Sequence, residues 1–258
     1  MMNKEKCKSW VGGALIALGL MTMPGLGSAA CKVSSLELPV TMVGWRPVAK
    51  LGINGTEVPL ILDSGAFYSF LTHAAAQQLN LKVGRLPQGA SVEGITGKVE
   101  AGMTRVKRLQ LRGGEVPNVD FIIGGNDEEG TMGLLGRNIL AIADAEYDLA
   151  NGVVRLMFPN DDCAKAGMAY WAGDKPVSML ELEQDDRSEK TPAIQVQAKL
   201  NGKKMQVLLD TGALSLVSLN AAKRAGVSDM KPYHKTRGVG QAEVDSWTAV
   251  FDRFEVGG

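Results

Sequence analysis

Only two histidines and three cysteines occur in the 258 residues, and aromatic side chains make up 5% of them. His73 and His234 have no cysteine or carboxylate at metal-ligand spacing, so neither a structural zinc site nor a cofactor is expected. Acidic and basic side chains balance at 28 each, so the basic footprint of a nucleic-acid binder is missing. No Gly-x-Ser-x-Gly elbow appears, and Gly133-Leu134-Leu135-Gly136 is not followed by the Lys-Ser/Thr of a phosphate loop. The acidic stretch 126–129 lies between glycines and reads as a solvated turn. With 45% hydrophobic residues the chain is too apolar to be disordered. Thirty-one glycines favour a turn-rich, strand-rich fold.

One long apolar run is present, and it stands at the N-terminus. Lys4, Lys6 and Lys8 precede Trp10 to Met21, Pro24-Gly25 ends the run, and Gly27-Ser28-Ala29-Ala30 supplies small residues. Charged, apolar and then small is the layout of a secretory signal peptide, with cleavage expected at Ala29 or Ala30. The run is shorter than the roughly 20 residues of a membrane-spanning helix. Residues 1–30 are therefore expected to be removed, leaving a periplasmic or secreted protein with no transmembrane span. Lipid anchoring at Cys31 is the alternative, but Ser28 stands where a lipoprotein signal usually has an aliphatic residue. Removal takes Cys7 and leaves Cys31 and Cys163, which allow one disulfide in an oxidising compartment. It also leaves a net charge of −2.

The rest of the chain is a duplication. Val33 to Leu38 recurs as Val177 to Leu182, at an offset of 144. Asn54-Gly55 and Pro59 to Ala66 recur as Asn201-Gly202 and Gln206 to Ala213, at an offset of 147 without a gap. Gly94-Ile95 matches Gly238-Val239. In each copy Asn-Gly predicts a hairpin turn, because both residues tolerate positive φ. Pro47 to Leu51 pairs with Thr56 to Leu62, and Ile194 to Leu200 with Lys203 to Leu209. The second strand of each pair ends in a branched apolar run expected to be buried. A short helix follows, at Thr72 to Leu79 with Thr72 as N-cap, and at Leu219 to Ala225. Further strands are expected near Val106–Leu111 and Val119–Ile123. The expected organisation is a first domain over 31–163, a linker over 164–190 with a polar tip at 184–190, and a second domain over 191–258. Against copy one, the second copy lacks about its last 40 residues.

A strand that ends in Asp-Ser/Thr-Gly-Ala carries a carboxylate into the interior. The glycine permits a tight turn and close backbone approach. The hydroxyl can bond across to a matching loop. Two copies can bring Asp63 and Asp210 face to face. Two carboxylates sharing a small site hold one proton between them over a wide pH range. The ionised one can then deprotonate a water while the protonated one polarises a carbonyl.

Leu60 to Ala66 and Val207 to Ala213 resemble the active-site loops of retropepsin-like aspartic proteases. Leu134-Leu135-Gly136-Arg137-Asn138 resembles that family's second signature. The resemblance implies an all-β fold of tandem closed barrels, each with one short helix. It implies Asp63 and Asp210 as the catalytic dyad, with Ser64, Gly65, Thr211, Gly212, Leu135 and Gly136 supporting the loops. Gly94, Ile95 and Gly97, with Gly238, Val239 and Gly240, fall where the family has its flaps. The implied activity is peptide hydrolysis without metal or cofactor, on a peptide or unfolded protein. Three arrangements stay open: a dyad within one chain, a homodimer pairing two Asp63 side chains, or a fragment of a longer two-copy protein. A non-catalytic peptide-binding module with the same fold is the alternative function.

Overall fold

The computed structural model describes residues 31–258 except 126–129, 161–162, 164–166, 184–192, 239–241 and 258. The expected signal peptide, the polar linker tip, the acidic stretch 126–129, and Val239 and Gly240 of the second flap lie outside the described residues. Cys31 and Cys163 form a disulfide. Residues 31–258 make one compact unit.

The first half is built on two layers of pairing. β1 (Val33–Val43) runs antiparallel to β2 (Arg46–Ile53) through its C-terminal part, where Val40 faces Ala49. β3 (Thr56–Leu62) returns along β2 through the Asn54-Gly55 turn, in which both residues have positive φ, 52° and 94°. β4 (Phe70–Leu71) leads into α1 (His73–Gln78), whose first turn is capped by Thr72 Oγ1 accepting from Ala75 N at 3.0 Å. β5 (Gly84–Arg85) and the hairpin of β6 (Val92–Gly94) and β7 (Gly97–Val99) follow. Two ten-residue strands come next, β8 (Gly102–Leu111) and β9 (Gly114–Ile123). They are succeeded by β10 (Gly133–Leu135) and the one-turn helix α2 (Arg137–Leu140). β11 (Asp144–Asp148) and β12 (Val153–Pro159) then pair with each other, and β12 pairs with the start of β1.

Strands β2, β3, β10, β4, β9 and β8 form a closed ring, because β2 pairs with β8 as well as with β3. Closure removes sheet edges and encloses Leu51, Val58, Leu60, Leu62, Val106, Phe121 and Ile123. Two members of the ring are parallel pairs, β10 with β3 and β4 with β9. They bring the ends of β3 and β4 together, and those ends carry the loop that begins at Asp63.

The second half repeats the early elements: β13 (Gln195–Leu200), β14 (Lys203–Leu208) and α3 (Leu219–Arg224). Asn201 and Gly202 again turn with positive φ, 47° and 76°. β15 (Lys231–Pro232) pairs with β18 (Trp247–Thr248), and β16 (Thr236–Arg237) pairs with β17 (Glu243–Val244). β19 (Phe254–Val256) lies beside β13 as β8 lies beside β2. Thus the first half realises the expected barrel in full, with α2 as a second helix. The described residues of the second half form no closed ring: they make an open three-stranded sheet, β14-β13-β19, and two separate two-stranded pairs.

Openness overturns one expectation. Leu60, Ile61 and Leu62 are buried, but Leu208 and Leu209 are 39% and 38% exposed. The sequence of the run is equivalent; the neighbours differ. β3 is flanked by β10, whereas among the described residues no strand flanks β14 on that side.

Candidate active site

The loops after β3 and β14 meet and hold each other by reciprocal hydrogen bonds. Ser64 Oγ donates to the Leu209 carbonyl at 2.7 Å and accepts from Thr211 N at 3.0 Å. Thr211 Oγ1 donates to the Leu62 carbonyl at 2.7 Å and accepts from Ser64 N at 3.0 Å. Each hydroxyl therefore both donates and accepts, and each bond has its counterpart under exchange of the halves. Ser64 is 2% exposed, so its hydroxyl is shielded from competing water.

The grip sets the carboxylates side by side. Asp63 Oδ1 accepts from Gly65 N at 2.9 Å and Ala66 N at 2.8 Å. Asp210 Oδ1 accepts from Gly212 N at 2.7 Å. Each glycine α-carbon packs against the opposite carboxyl group. A β-carbon on Gly65 would stand 2.4 Å from Asp210 Cγ, and one on Gly212 would stand 2.4 Å from Asp63 Cγ. Only glycine allows that approach at either position. Burial first, and then the adjacent Asp210 charge, push the Asp63 carboxyl up to about 7 from an ordinary 3.8. The bonds from Ala66 and Gly65 oppose that rise without cancelling it.

Support for the two loops is unequal. Leu135 O accepts from Asp63 N at 3.0 Å, and Ala66 O accepts from Arg137 N at 2.9 Å. Gly136 approaches so closely that a β-carbon there would stand 2.4 Å from the Tyr68 carbonyl oxygen. Ser69 Oγ accepts from Gly136 N at 3.0 Å and donates to Asn138 Oδ1 at 2.7 Å. Leu135 and Gly136 thus sit directly against the Asp63 loop. The Asp210 loop has no such strand beside it among the described residues.

Two further residues reach the site without a clear signal in the sequence. Arg46 Nε donates to the Gly212 carbonyl at 3.0 Å, tying the start of β2 to the opposite loop. Its counterpart at the 147-residue offset is Ala193, so a search for repeats passes over it. Tyr147, outside the cavity lining, is partly buried and lies within electrostatic reach of Asp63 and Arg137. Burial, and then the Asp63 charge, raise its hydroxyl to about 12. Its Oη has no hydrogen-bond partner among the described residues.

A cavity of about 490 Å³ opens over the carboxylates. Phe67, Phe70, Val92 and Leu134 give it an apolar wall, and Gly94, Ile95 and Gly238 border it. Gly97 stands opposite Gly94 at the tip of the β6–β7 hairpin. That tip reaches the second half, since a β-carbon on Gly238 would stand 2.7 Å from Ile95 Cγ1. Among the described residues no group of His, Cys, Asp and Glu is arranged to hold a metal ion. The arrangement as a whole can hold one proton between two carboxyl groups at the floor of a partly apolar cleft.

Residues 49–141 match the family of gag-polyprotein putative aspartyl proteases, and residues 196–258 match the aspartyl protease family. Among solved structures, a retropepsin-like aspartic protease from Rickettsia conorii is 20% identical, with a TM-score of 0.36. The match covers 50% of this chain and 95% of that one. The EIAV protease, solved in complex with the inhibitor HBY-793, is 31% identical with a TM-score of 0.32, covering 40% and 93% respectively. No curated protein matches. The family matches fall on both halves and contain both aspartate loops, and the chain belongs to the retropepsin-like aspartic protease family.

Proposed function

We propose that the chain is an exported aspartic endopeptidase whose dyad, Asp63 and Asp210, forms within one molecule. The observation that carries this reading is the Ser64–Thr211 grip, in which each glycine packs against the other half's carboxylate. A water held between the two would lose a proton to the ionised carboxylate as its oxygen attacks the peptide carbonyl carbon. The protonated carboxyl would give its proton to the carbonyl oxygen. Collapse of the tetrahedral diol would break the C–N bond as the amine nitrogen takes the proton from the protonated carboxyl and a diol hydroxyl returns one to the ionised carboxylate, restoring the one-proton dyad. The substrate would lie as an added strand beneath the β6–β7 hairpin, with side chains alternating between pockets. Residues 31–163 and 191–258 would act as the two halves of one cleft. Export is supported by the signal-like pattern of residues 1–30, and the Cys31–Cys163 disulfide fits an oxidising compartment.

The test is cleavage of an unstructured protein between pH 3 and 7, comparing the chain with Asp63→Asn and Asp210→Asn. Loss in both variants supports one intramolecular dyad. Loss with Asp63→Asn alone points to a homodimer of first halves. A peptide-binding module without turnover is the second reading. It is favoured by the unequal support of the loops, because a site about 1 Å too loose loses most of its rate. Peptide binding with no cleavage in any variant would select it.

A further inference from the structure

The duplication gives the two halves of the cleft matching sequence positions, but not matching charges. Gly94 corresponds to Gly238, so Glu93 on the β6–β7 hairpin corresponds to Arg237 on β16. Both residues line the cavity that holds Asp63 and Asp210. Arg46 lines it too, and its guanidinium lies at Gly212, on the second-half loop. The second-half side therefore carries two guanidinium groups, and the first-half side carries a carboxylate.

Local structure explains why Glu93 is available. Val92 is buried with Phe70 and Ile122 and anchors the hairpin, and Glu93 follows it at the cavity rim. Glu93 is exposed, and among the described residues no ion pair holds it, although Lys98 stands opposite in register. Arg237 is engaged by Glu243 across β16 and β17, with Nε to Oε1 at 2.6 Å. That pair is largely solvent-exposed and costs little to rearrange.

We propose that Glu93 is a specificity-determining residue that takes a lysine or arginine side chain of the bound peptide. Arg237 and Arg46 disfavour the same side chain on the other side of the dyad. This rests on the reading that the cleft binds peptides. A peptide laid across a pseudo-two-fold site could otherwise bind in either direction. Opposite charges at equivalent positions make the two directions unequal, by attraction in one and like-charge repulsion in the other. The cleft thereby selects one peptide polarity and one class of flanking residue.

The test uses a peptide series with one apolar core and Lys, Gln or Glu at the second and third residues on either side of the expected scissile bond. Binding is measured by fluorescence anisotropy on the full chain carrying Asp63→Asn, and cleavage by mass spectrometry on the unmodified chain. The reading is the ratio of the Lys peptide to the Glu peptide within one protein, which does not depend on the fraction folded. On one side of the bond that ratio should favour Lys by about 2- to 10-fold at low salt and shrink as salt rises. Glu93→Gln should bring it near unity, and Glu93→Lys should invert it. Arg237→Gln should change the ratio on the other side only. A ratio of unity in the unmodified chain, a ratio indifferent to Glu93→Gln, or no binding of any peptide would overturn the proposal. Selective binding without cleavage would keep it and remove the protease reading instead.

Discussion

The α-carbon of Gly212 lies against the carboxyl group of Asp63, and Gly65 stands in the same relation to Asp210. Each carboxylate is therefore positioned by its own loop and confined by the other one. An alanine at either glycine would place a methyl carbon 2.4 Å from the facing Cγ. Something must move, and the carboxylates are what the methyl meets. Gly65→Ala and Gly212→Ala should each lower kcat/KM on an unstructured substrate by at least about 100-fold. Circular dichroism should show the β-structure retained. Activity within 3-fold of the parent would mean that this contact does not set the dyad.

Ser64 and Thr211 hold the loops together through one hydroxyl each. Removing the Ser64 hydroxyl deletes its bond to the Leu209 carbonyl and leaves Thr211 N without its acceptor. Ser64→Ala should lower unfolding stability by about 1–3 kcal/mol, read from urea titration. Thr211→Val keeps the shape but loses the bonds to Leu62 O and from Ser64 N. It should cost a similar amount. A double variant should lose less than the sum, because both singles break the same reciprocal network. Additive losses would show that the two hydroxyls act separately.

Asp63 and Asp210 were legible as candidates because the sequence contains the motif twice, but that they meet within one chain was not, since a dimer pairing two Asp63 side chains fits the same motif. The Asn-Gly turns and the Thr72 cap were legible because each depends on a few adjacent residues. Exposure of Leu208 and Leu209 was not legible. Periodicity records the character of a strand, and burial depends on what lies beside it; β14 lacks the neighbour that β10 gives to β3. Arg46 was hidden for a related reason. It acts on Gly212 from 166 residues away, and its counterpart is Ala193. Glu93 and Arg237 stood one residue outside the matched glycines, and their opposition has meaning only once both face one cavity.

The Cys31–Cys163 disulfide joins residues 132 apart, from the start of β1 to the chain after β12. Its link lies beside the β1–β12 pairing, where Val33 faces Pro159. Closing so long a loop restricts the unfolded chain, and the chain-entropy model puts the effect at about 3–5 kcal/mol. Cys163→Ser, or reduction with dithiothreitol, should therefore lower the denaturant midpoint. The slope of the transition should rise as the unfolded chain becomes more extended. An unchanged midpoint would mean that the β1–β12 pairing holds the first half without the link.

The raised Asp63 carboxyl couples activity and stability to pH in opposite senses for two proteins. Its folded value of about 7 exceeds the ordinary 3.8, so between these limits the native state holds a proton that the unfolded chain has released. The stability contribution of that proton is complete below about pH 4 and is lost as pH rises through 7. Asp63→Asn carries no titrating group there. It should melt at the same temperature as the parent near pH 4 and several degrees higher at pH 8, because it avoids placing a second charge beside Asp210. On the proposed mechanism cleavage requires the one-proton dyad, so kcat/KM of the parent should fall about tenfold per pH unit above 7. Calorimetry of both proteins at pH 4 and pH 8, with a pH–rate profile of the parent, checks the two together. A variant that melts below the parent at pH 8 would show that the two carboxylates are not in contact.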